Sequence, residues 1–268
     1  MAVPVRVAAT ADGAVGYRSV GTGPTVLLIM GFGGTLDSWT PAFVASLART
    51  HRVITFDNAG IGKTSALASP LTITAMAAQT AALLKTLNTG PVDVLGWSMG
   101  GMIAQALTVQ QPALVSHLVL AATLPGDGTA TSPSAAVQQQ LASSVTNPAA
   151  ALSLLFPATA SSASSAYVSG ILSWPDYHSP SVTAATAQGA ALRTWVTGAE
   201  PIGRKIKAIA APTLIADGSQ DVLVPPANFA ALGAAIKGSQ KVIYPGAGHA
   251  FLFQDQDQFL TRVINFLG

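Results

Sequence analysis

The sequence predicts an α/β fold, a doubly wound and mostly parallel sheet of about eight strands with helices on both faces. Short runs rich in leucine or β-branched residues, bounded by Gly, Pro or Asp, alternate with longer stretches of helical spacing. The length of 268 residues allows one large domain or two smaller ones, and either would bury a substantial core. These observations favour crossover helices between parallel strands.

Eight runs are predicted strands. Two of them, Val5–Ala9 and Val15–Val20, flank the turn sequence "TADG" and predict an antiparallel hairpin at one edge of the sheet. The other six are Thr25–Met30, Arg52–Asp57, Val92–Gly96, His117–Ala122, Pro212–Ala216 and Lys241–Tyr244.

Two stretches carry the clearest helical spacing. After Met99, apolar residues recur at i, i+3, i+4, i+7 and i+8, which predicts a helix on the sheet that Pro112 ends. The C-terminal "DQFLTRVINFL" repeats apolar residues in the same way and should close the fold.

The alternation of strand and helix patterns stops between residues 124 and 200, where Ala, Ser, Thr and Gln dominate the composition. We expect a helical lid inserted here, so that the core comprises residues 1–123 and 201–268. A disordered linker is the alternative, because residues 132–140 and 158–166 approach low complexity. Aromatic residues favour an ordered insert: Phe156, Tyr167, Trp174, Tyr177 and Trp195.

The composition excludes several kinds of binding partner and of chemistry. Charged residues make up only 9% of the chain, and 13 Lys and Arg against 11 Asp and Glu leave a net charge of +2 without a basic cluster, so nucleic acid is not expected. The absence of cysteine excludes disulfides and thiolate chemistry. The N-terminus lacks an apolar signal segment and no apolar run is long enough to span a bilayer, which predicts a cytoplasmic protein; the weakly charged surface allows self-association.

The segment "FDNAGIGKT", residues 56–64, resembles a phosphate-binding loop only superficially. Asp57 stands where that loop requires its first glycine, and Pro70 interrupts the helix that should follow. A nucleotide site is therefore not expected. Asp57 and Lys63 are expected to stabilise their own turn.

The strongest chemical signal is "GWSMGG", residues 96–101, which directly follows a predicted strand and opens a predicted helix. A G-x-S-x-G sequence in this position forms a turn too tight for a Cβ at Gly96 or Gly100, and it presents the Ser98 hydroxyl above the sheet. The helix start also directs the Met99 amide toward a developing oxyanion.

A serine nucleophile needs a base and a group that orients the base. His249 and Asp221 both follow predicted strands downstream of Ser98, at the sheet edge where α/β proteins place their sites. Asp217 and Asp127 are alternatives for the acid. Three other histidines have different expected roles: His51 and His117 on the surface or in packing, and His178 on the surface of the insert or, alternatively, in contact with substrate.

These motifs, with "GSQDVLVP", "GAGH" and "MGFGGT", resemble the α/β-hydrolase superfamily over nearly the whole chain outside the insert. The resemblance implies Ser98 as nucleophile, His249 as base and Asp221 as acid. It also implies an oxyanion hole made by the amides of Phe32 and Met99.

The same resemblance explains "DNAGIGKT" as the superfamily's D-x-R-G-x-G-x-S loop, with Ala59 and Thr64 in place of the usual arginine and serine. Met30 likewise stands where a histidine is frequent. None of these departures removes a member of the triad.

The expected activity is hydrolysis of a small or medium, largely apolar carboxylic ester through an acyl-enzyme, with no metal and no organic cofactor. Lactonase, amidase, C–C bond hydrolase and cofactor-free perhydrolase activities use the same triad and stay open, as does a non-catalytic ligand-binding protein. Trp97, Trp174 and Trp195 are candidate substrate-binding residues, although packing in the core of the fold or of the lid is the preferred explanation for them.

Overall fold

The central element is one twisted sheet. The computed structural model describes residues 3–144, 147–178 and 181–268, and within them eight strands pair in the order β1-β2-β4-β3-β5-β6-β7-β8. The strands are β1 Arg6–Thr10, β2 Gly13–Val20, β3 Thr25–Ile29, β4 Arg52–Phe56, β5 Val92–Trp97, β6 Val115–Ala121, β7 Thr213–Gly218 and β8 Gln240–Tyr244. Their order and number confirm the predicted fold class.

Strand direction follows the prediction as well. β1 and β2 form the antiparallel edge hairpin, with Thr10 paired to Gly13, and β2 pairs antiparallel to β4. The pairs from β4 through β8 are parallel. Because β4 and β5 lie on opposite sides of β3, the order of strands reverses at β3, and this is the point where open α/β sheets place their binding sites.

Helices cover both faces of the sheet. They are α1 Pro41–Leu47, α2 Ile73–Thr86, α3 Met99–Gln110, α4 Ala135–Ser144, α5 Pro148–Leu155, α6 Ser161–Leu172, α7 Val182–Val196, α8 Ala227–Ala235, α9 Phe251–Gln254 and α10 Gln256–Leu267. Pro41 occupies the first turn of α1, and Thr40 caps that helix by accepting a hydrogen bond from the Phe43 amide at 3.2 Å.

The core forms two apolar layers, one on each face. Side chains of β3 alternate between them: Leu27 and Ile29 join the layer with α2 and α3, whereas Val26 and Leu28 join the layer with α1 and α10. All four are fully buried, as expected for a strand in the middle of a parallel sheet.

Residues 124–200, called the insert below, contain α4 to α7. Helices α4 and α6 overlap the two stretches of low complexity. Residues 1–2, 145–146 and 179–180 lie outside the described residues. Glu200 ends the insert and bonds to the start of α2, accepting from the Ile73 and Thr74 amides at 3.0 and 2.8 Å. The insert is thereby fastened to the core at this end.

Three strand limits differ from the prediction by two residues, and the others by one residue at most. β2 begins at Gly13 and β6 at Val115, each two residues earlier than predicted, and β7 continues to Gly218 because Asp217 and Gly218 pair with Ile243 and Tyr244 of β8. Asp217 therefore lies within a strand rather than just beyond it. No helix in the described ranges combines the length and the apolar character that crossing a membrane requires.

Candidate active site

Ser98 lies between the end of β5 and the start of α3 with φ 58° and ψ −122°. This positive φ is costly for a residue with a side chain and persists only where the surroundings impose it. The side chain is partly exposed, whereas Trp97 and Met99 on either side are buried. The strained turn thus presents the serine as the G-x-S-x-G pattern predicts.

Two glycines allow this turn. A Cβ on Gly96 would collide with the Gly100 carbonyl, and a Cβ on Gly100 would collide with the Ile29 carbonyl of the neighbouring strand. Both glycines are required by close backbone approach, because neither has a positive φ.

Hydrogen bonds from β6 and the loop after it hold the backbone of Ser98. The Ser98 amide donates to the Ala121 carbonyl at 2.9 Å, and the Thr123 hydroxyl donates to the Ser98 carbonyl at 2.6 Å. Sequence reasoning missed Thr123, because nothing in the motif indicates which residue of the neighbouring loop supports the turn.

His249 and Asp221 meet above the end of β7. Their Nδ1 and Oδ2 atoms are 2.6 Å apart, and both residues are almost fully buried. The other oxygen of Asp221 accepts the Leu223 and Val224 amides at 2.8 Å each. Since a carboxylate only accepts, Nδ1 of His249 carries the hydrogen and Nε2 is left as the basic atom.

A second buried carboxyl lies beside this pair. Burial, and then the neighbouring charge and hydrogen bond of Asp221, raise the pKa of Asp217 to about 9. Asp217 is consequently neutral at pH 7, and one of its oxygens accepts from the Gly218 amide at 2.8 Å. The structure places Asp221, and neither Asp217 nor Asp127, against His249; Asp127 instead accepts from the Thr129 amide in its own turn.

Trp97 connects the serine turn with the histidine loop. Its indole N–H donates to the His249 carbonyl at 3.1 Å, and the two rings lie 5.6 Å apart. Within the described residues no hydrogen bond joins Ser98 Oγ to His249 Nε2. Catalytic hydrogen bonds of this kind are frequently long without substrate and shorten in the complex.

The loop after β3 approaches Ser98 closely. A Cβ on Gly31 would lie 3.0 Å from the Ser98 Cβ, so only glycine fits without a shift. Asn58 supports the start of this loop by donating to the Met30 carbonyl at 2.8 Å. In the described parts of the chain, no hydrogen bond uses the Phe32 or Met99 amide, so both donors are free for an oxyanion.

The three candidate substrate-binding indoles are buried. Trp195 donates to the Leu124 carbonyl at 3.3 Å, and Trp174 donates to the Trp39 carbonyl at 2.9 Å. Trp174 also lies 3.9 Å beneath the Arg18 guanidinium. With Trp97, each has its N–H occupied and its ring packed, and a role in the substrate pocket stays a prediction.

His178 and Asp57 make contacts that the sequence did not predict. His178 is partly exposed, and its Nδ1 lies 3.1 Å from Asp37 while its Nε2 lies 3.4 Å from Asp57. Asp57 does not act within its own turn alone, since it also accepts the Leu36 amide at 2.8 Å. Arg18 lies 2.8 Å from Asp37. Arg18, Asp37, Asp57 and His178 together form what we call the ionic brace.

The brace fixes the charges of its members. The nearby carboxylates of Asp37 and Asp57 raise the pKa of His178 to about 10, against the effect of burial. Burial works to raise the pKa of Asp37, but the contact with His178, the hydrogen bond from Arg18 and the charges of both together lower it below its usual value. An ion-paired network therefore joins the insert to the loops after β3 and β4.

The remaining predicted positions lie elsewhere. His51 is buried and bonds to the neighbouring Thr50 hydroxyl at 2.8 Å, whereas His117 pairs with Asp93 at 2.7 Å beneath Phe266. Lys63 reaches the Val5 carbonyl at 3.5 Å, which ties the loop to the N-terminal strand region. None of these residues contacts Ser98 or His249.

The sequence model of a protein family described as "alpha/beta hydrolase fold" matches residues 24–256. A stretch of 108 residues is 50% identical to the protein named "Putative non-heme bromoperoxidase BpoC" of Mycobacterium tuberculosis, and this match spans 40% of the chain and 41% of the relative. The solved structure of that protein is similar over 100% of this chain and 96% of its own, with 31% identity and a TM-score of 0.73.

Two further relatives match nearly end to end. A protein of Variovorax paradoxus named "Putative carbamate hydrolase RutD" is 29% identical over 260 residues, which cover 91% of this chain and 92% of the relative. A solved thermophilic esterase from Thermogutta terrifontis is 25% identical, covers 98% of both chains and has a TM-score of 0.74.

Proposed function

The chain belongs to the alpha/beta hydrolase fold family, and on that premise we propose that it is a serine hydrolase that cleaves a small or medium, largely apolar carboxylic ester. Ser98 is the nucleophile, His249 the base and Asp221 the acid. The observation that carries the proposal is the His249–Asp221 hydrogen bond of 2.6 Å above the strained turn of Ser98.

In the first half of the reaction, His249 Nε2 takes the proton of Ser98 as Oγ attacks the ester carbonyl carbon. Asp221 holds the imidazole in the Nδ1–H form and stabilises the imidazolium that results. The protonated His249 then gives its proton to the leaving alcohol oxygen, and the C–O bond of the ester breaks. The acyl group is left on Ser98.

The developing oxyanion is met by the amides of Phe32 and Met99. Met99 is the first residue of α3, so its amide adds the positive end of the helix dipole to the hydrogen bond. Loss of one such donor typically costs about 2.7–4 kcal/mol of transition-state stabilisation, which makes the loop after β3 nearly as important as the triad.

In the second half, water takes the place of the alcohol. His249 removes a proton from the water, the hydroxyl oxygen attacks the acyl carbon, and the proton passes to Ser98 as the acid leaves. Asp217 supports this cycle by staying neutral: it adds no second negative charge beside Asp221.

Charge in the insert supports an uncharged substrate. Arg193 is the one lysine or arginine in the sequence from 124 to 200, and an anionic substrate would need more cations to hold it. The small apolar side chains of Ala184 and Ala185 on α7 lie near Gly60 and Gly33, in the loops after β4 and β3.

The test is hydrolysis of a panel of 4-nitrophenyl esters of increasing acyl length, with carbamates and lactones added. The wild type should hydrolyse short and medium esters, and Ser98→Ala should lose about 10⁶-fold in kcat. Ser116→Ala, an exposed serine on β6, is the matched control and should match the wild type. Equal, negligible rates for all three proteins, with ligand binding retained, would instead indicate a non-catalytic binding protein.

Perhydrolysis is a second candidate function, favoured by the similarity to the relative named as a bromoperoxidase. In this reaction hydrogen peroxide replaces water, attacks the acyl-enzyme and leaves as a peracid, which then oxidises bromide to hypobromous acid. Bromination of a diketone in acetate, peroxide and bromide should depend on Ser98. Bromination that survives Ser98→Ala would exclude this route.

A further inference from the structure

Gln188 of α7 is fully buried, and its side chain bonds to the loop that carries Phe32. Its Oε1 accepts from the Gly33 amide at 2.9 Å. A backbone amide can only donate, so the orientation of the Gln188 amide is fixed: oxygen toward Gly33 and nitrogen away from it. Among the described residues, the Nε2 atom has no hydrogen-bond partner although it is buried.

The path of α7 places this unpartnered donor beside the loop that carries Phe32. Near its start, Ala184 lies 3.3 Å from the position of a Cβ on Gly60, in the loop after β4. One turn later Gln188 reaches the loop after β3, and near its end Trp195 bonds to the Leu124 carbonyl after β6.

Helix α7 therefore crosses the carboxyl ends of β4, β3 and β6 in turn, and β5 with Ser98 lies between the last two. The distances agree, because the seven residues from Gln188 to Trp195 rise about 10 Å, which is about two strand spacings. Oε1 and Nε2 share one carbon atom, so the free N–H group lies beside the loop of Phe32.

A buried donor without a partner lowers stability, because it has lost its hydrogen bonds to water. A ligand that supplies an acceptor would remove this cost. We propose that Gln188 is a specificity residue whose Oε1 holds the loop of Phe32 while its Nε2 donates to a substrate oxygen next to the scissile carbonyl. The preferred substrate is then an ester with an ether, alkoxy or carbonyl oxygen close to that carbonyl. This inference rests on the proposed ester hydrolysis.

Two pairs of esters of matched shape test it. In 4-nitrophenyl methoxyacetate an oxygen replaces one methylene of 4-nitrophenyl butyrate, and 2-methoxyethyl butyrate differs from butyl butyrate in the same way on the alcohol side. Each pair is measured as a ratio of kcat/KM with wild type and with Gln188→Met, so that the intrinsic reactivity of the esters cancels. The control is Gln79→Met, another buried glutamine, which bonds to the Ser65 carbonyl at 3.3 Å.

The wild type and Gln79→Met should prefer the oxygen-bearing member of at least one pair about tenfold more strongly than Gln188→Met does. The pair that responds locates the acceptor on the acyl or the alcohol side. Lower rates with both members of a pair in Gln188→Met would report the lost bond to Gly33, and the ratio separates that effect. If Gln188→Met leaves both ratios unchanged, Nε2 meets only water and the inference is wrong. If the wild type cleaves none of the four esters, the proposed function fails instead.

Discussion

The imidazole Nδ1 of His249 lies 2.6 Å from Oδ2 of Asp221, and the second oxygen of that carboxylate accepts two backbone amides. The imidazole N–H and the two amides thus converge on one buried carboxylate, which compensates the cost of keeping it charged away from water. The arrangement leaves His249 with a single available nitrogen, on the side of the ring away from Asp221.

Substitution of Asp221 should lower activity strongly, whereas substitution of its neighbour Asp217 should not. Asp221→Asn should lower kcat/KM by about 10⁴-fold, because an amide no longer fixes the Nδ1–H form of His249. Asp217→Asn should stay near the wild-type rate, because a neutral amide replaces a carboxyl that burial and Asp221 already keep protonated, with a pKa of about 9. Steady-state kinetics at pH 7 decide this, and a comparable loss in Asp217→Asn would identify Asp217 as the acid.

Thr123→Val should weaken the support of the nucleophile turn. The change removes the 2.6 Å bond to the Ser98 carbonyl and keeps a side chain of similar size, while the Gly101 amide still donates to that carbonyl at 2.9 Å. We expect a loss of about 1 kcal/mol in the free energy of unfolding. We also expect a lower kcat with little change in KM, measured by urea unfolding and ester kinetics. Unchanged stability and unchanged kcat would mean that Thr123 does not support Ser98.

The ionic brace should give stability a defined pH dependence. The pKa of His178 is raised from 6.5 to about 10, so its contribution is complete below pH 6.5 and is lost as the pH rises toward 10. Asp37, whose pKa is lowered, contributes above its ordinary value of 3.8 and loses that contribution in acid. The Tm difference between wild type and His178→Gln should therefore be largest between about pH 4 and 6.5 and shrink above it.

His51→Gln provides the comparison, because that histidine is buried but has no carboxylate partner among the described residues. If the Tm difference caused by His178→Gln stays constant from pH 6 to pH 10, His178 does not carry the charge assigned to it.

Local patterns in the sequence were sufficient to predict the sheet and the strained turn at Ser98. Apolar runs bounded by turn residues gave the strands, and the position of Ser98 between a strand and a helix gave the strained turn. Asp217 shows where prediction from local patterns ends. β7 continues through this residue because β8 pairs with it. That pairing is a tertiary contact which the apolar pattern does not encode.

The contacts of the insert could not be predicted for the same reason, since they too depend on tertiary structure. Its many alanines and serines give little periodicity, so the path of α7 across the sheet could not be read from the sequence. The partners of His178, Gln188 and Glu200 depend on that path, and each lies more than 100 residues away along the chain. The bond from the Leu36 amide to Asp57 is equally hidden in the sequence, because Leu36 lies in a different loop.

Labelling with a fluorophosphonate, followed by peptide mapping, asks whether Ser98 is an activated nucleophile, because the probe reacts with a serine only where a base activates it and an oxyanion hole receives the charge. We expect a single adduct on Ser98, lost in His249→Ala and retained in Asp217→Asn. An adduct on another residue, or none on folded wild-type protein, would show that Ser98 is not the nucleophile.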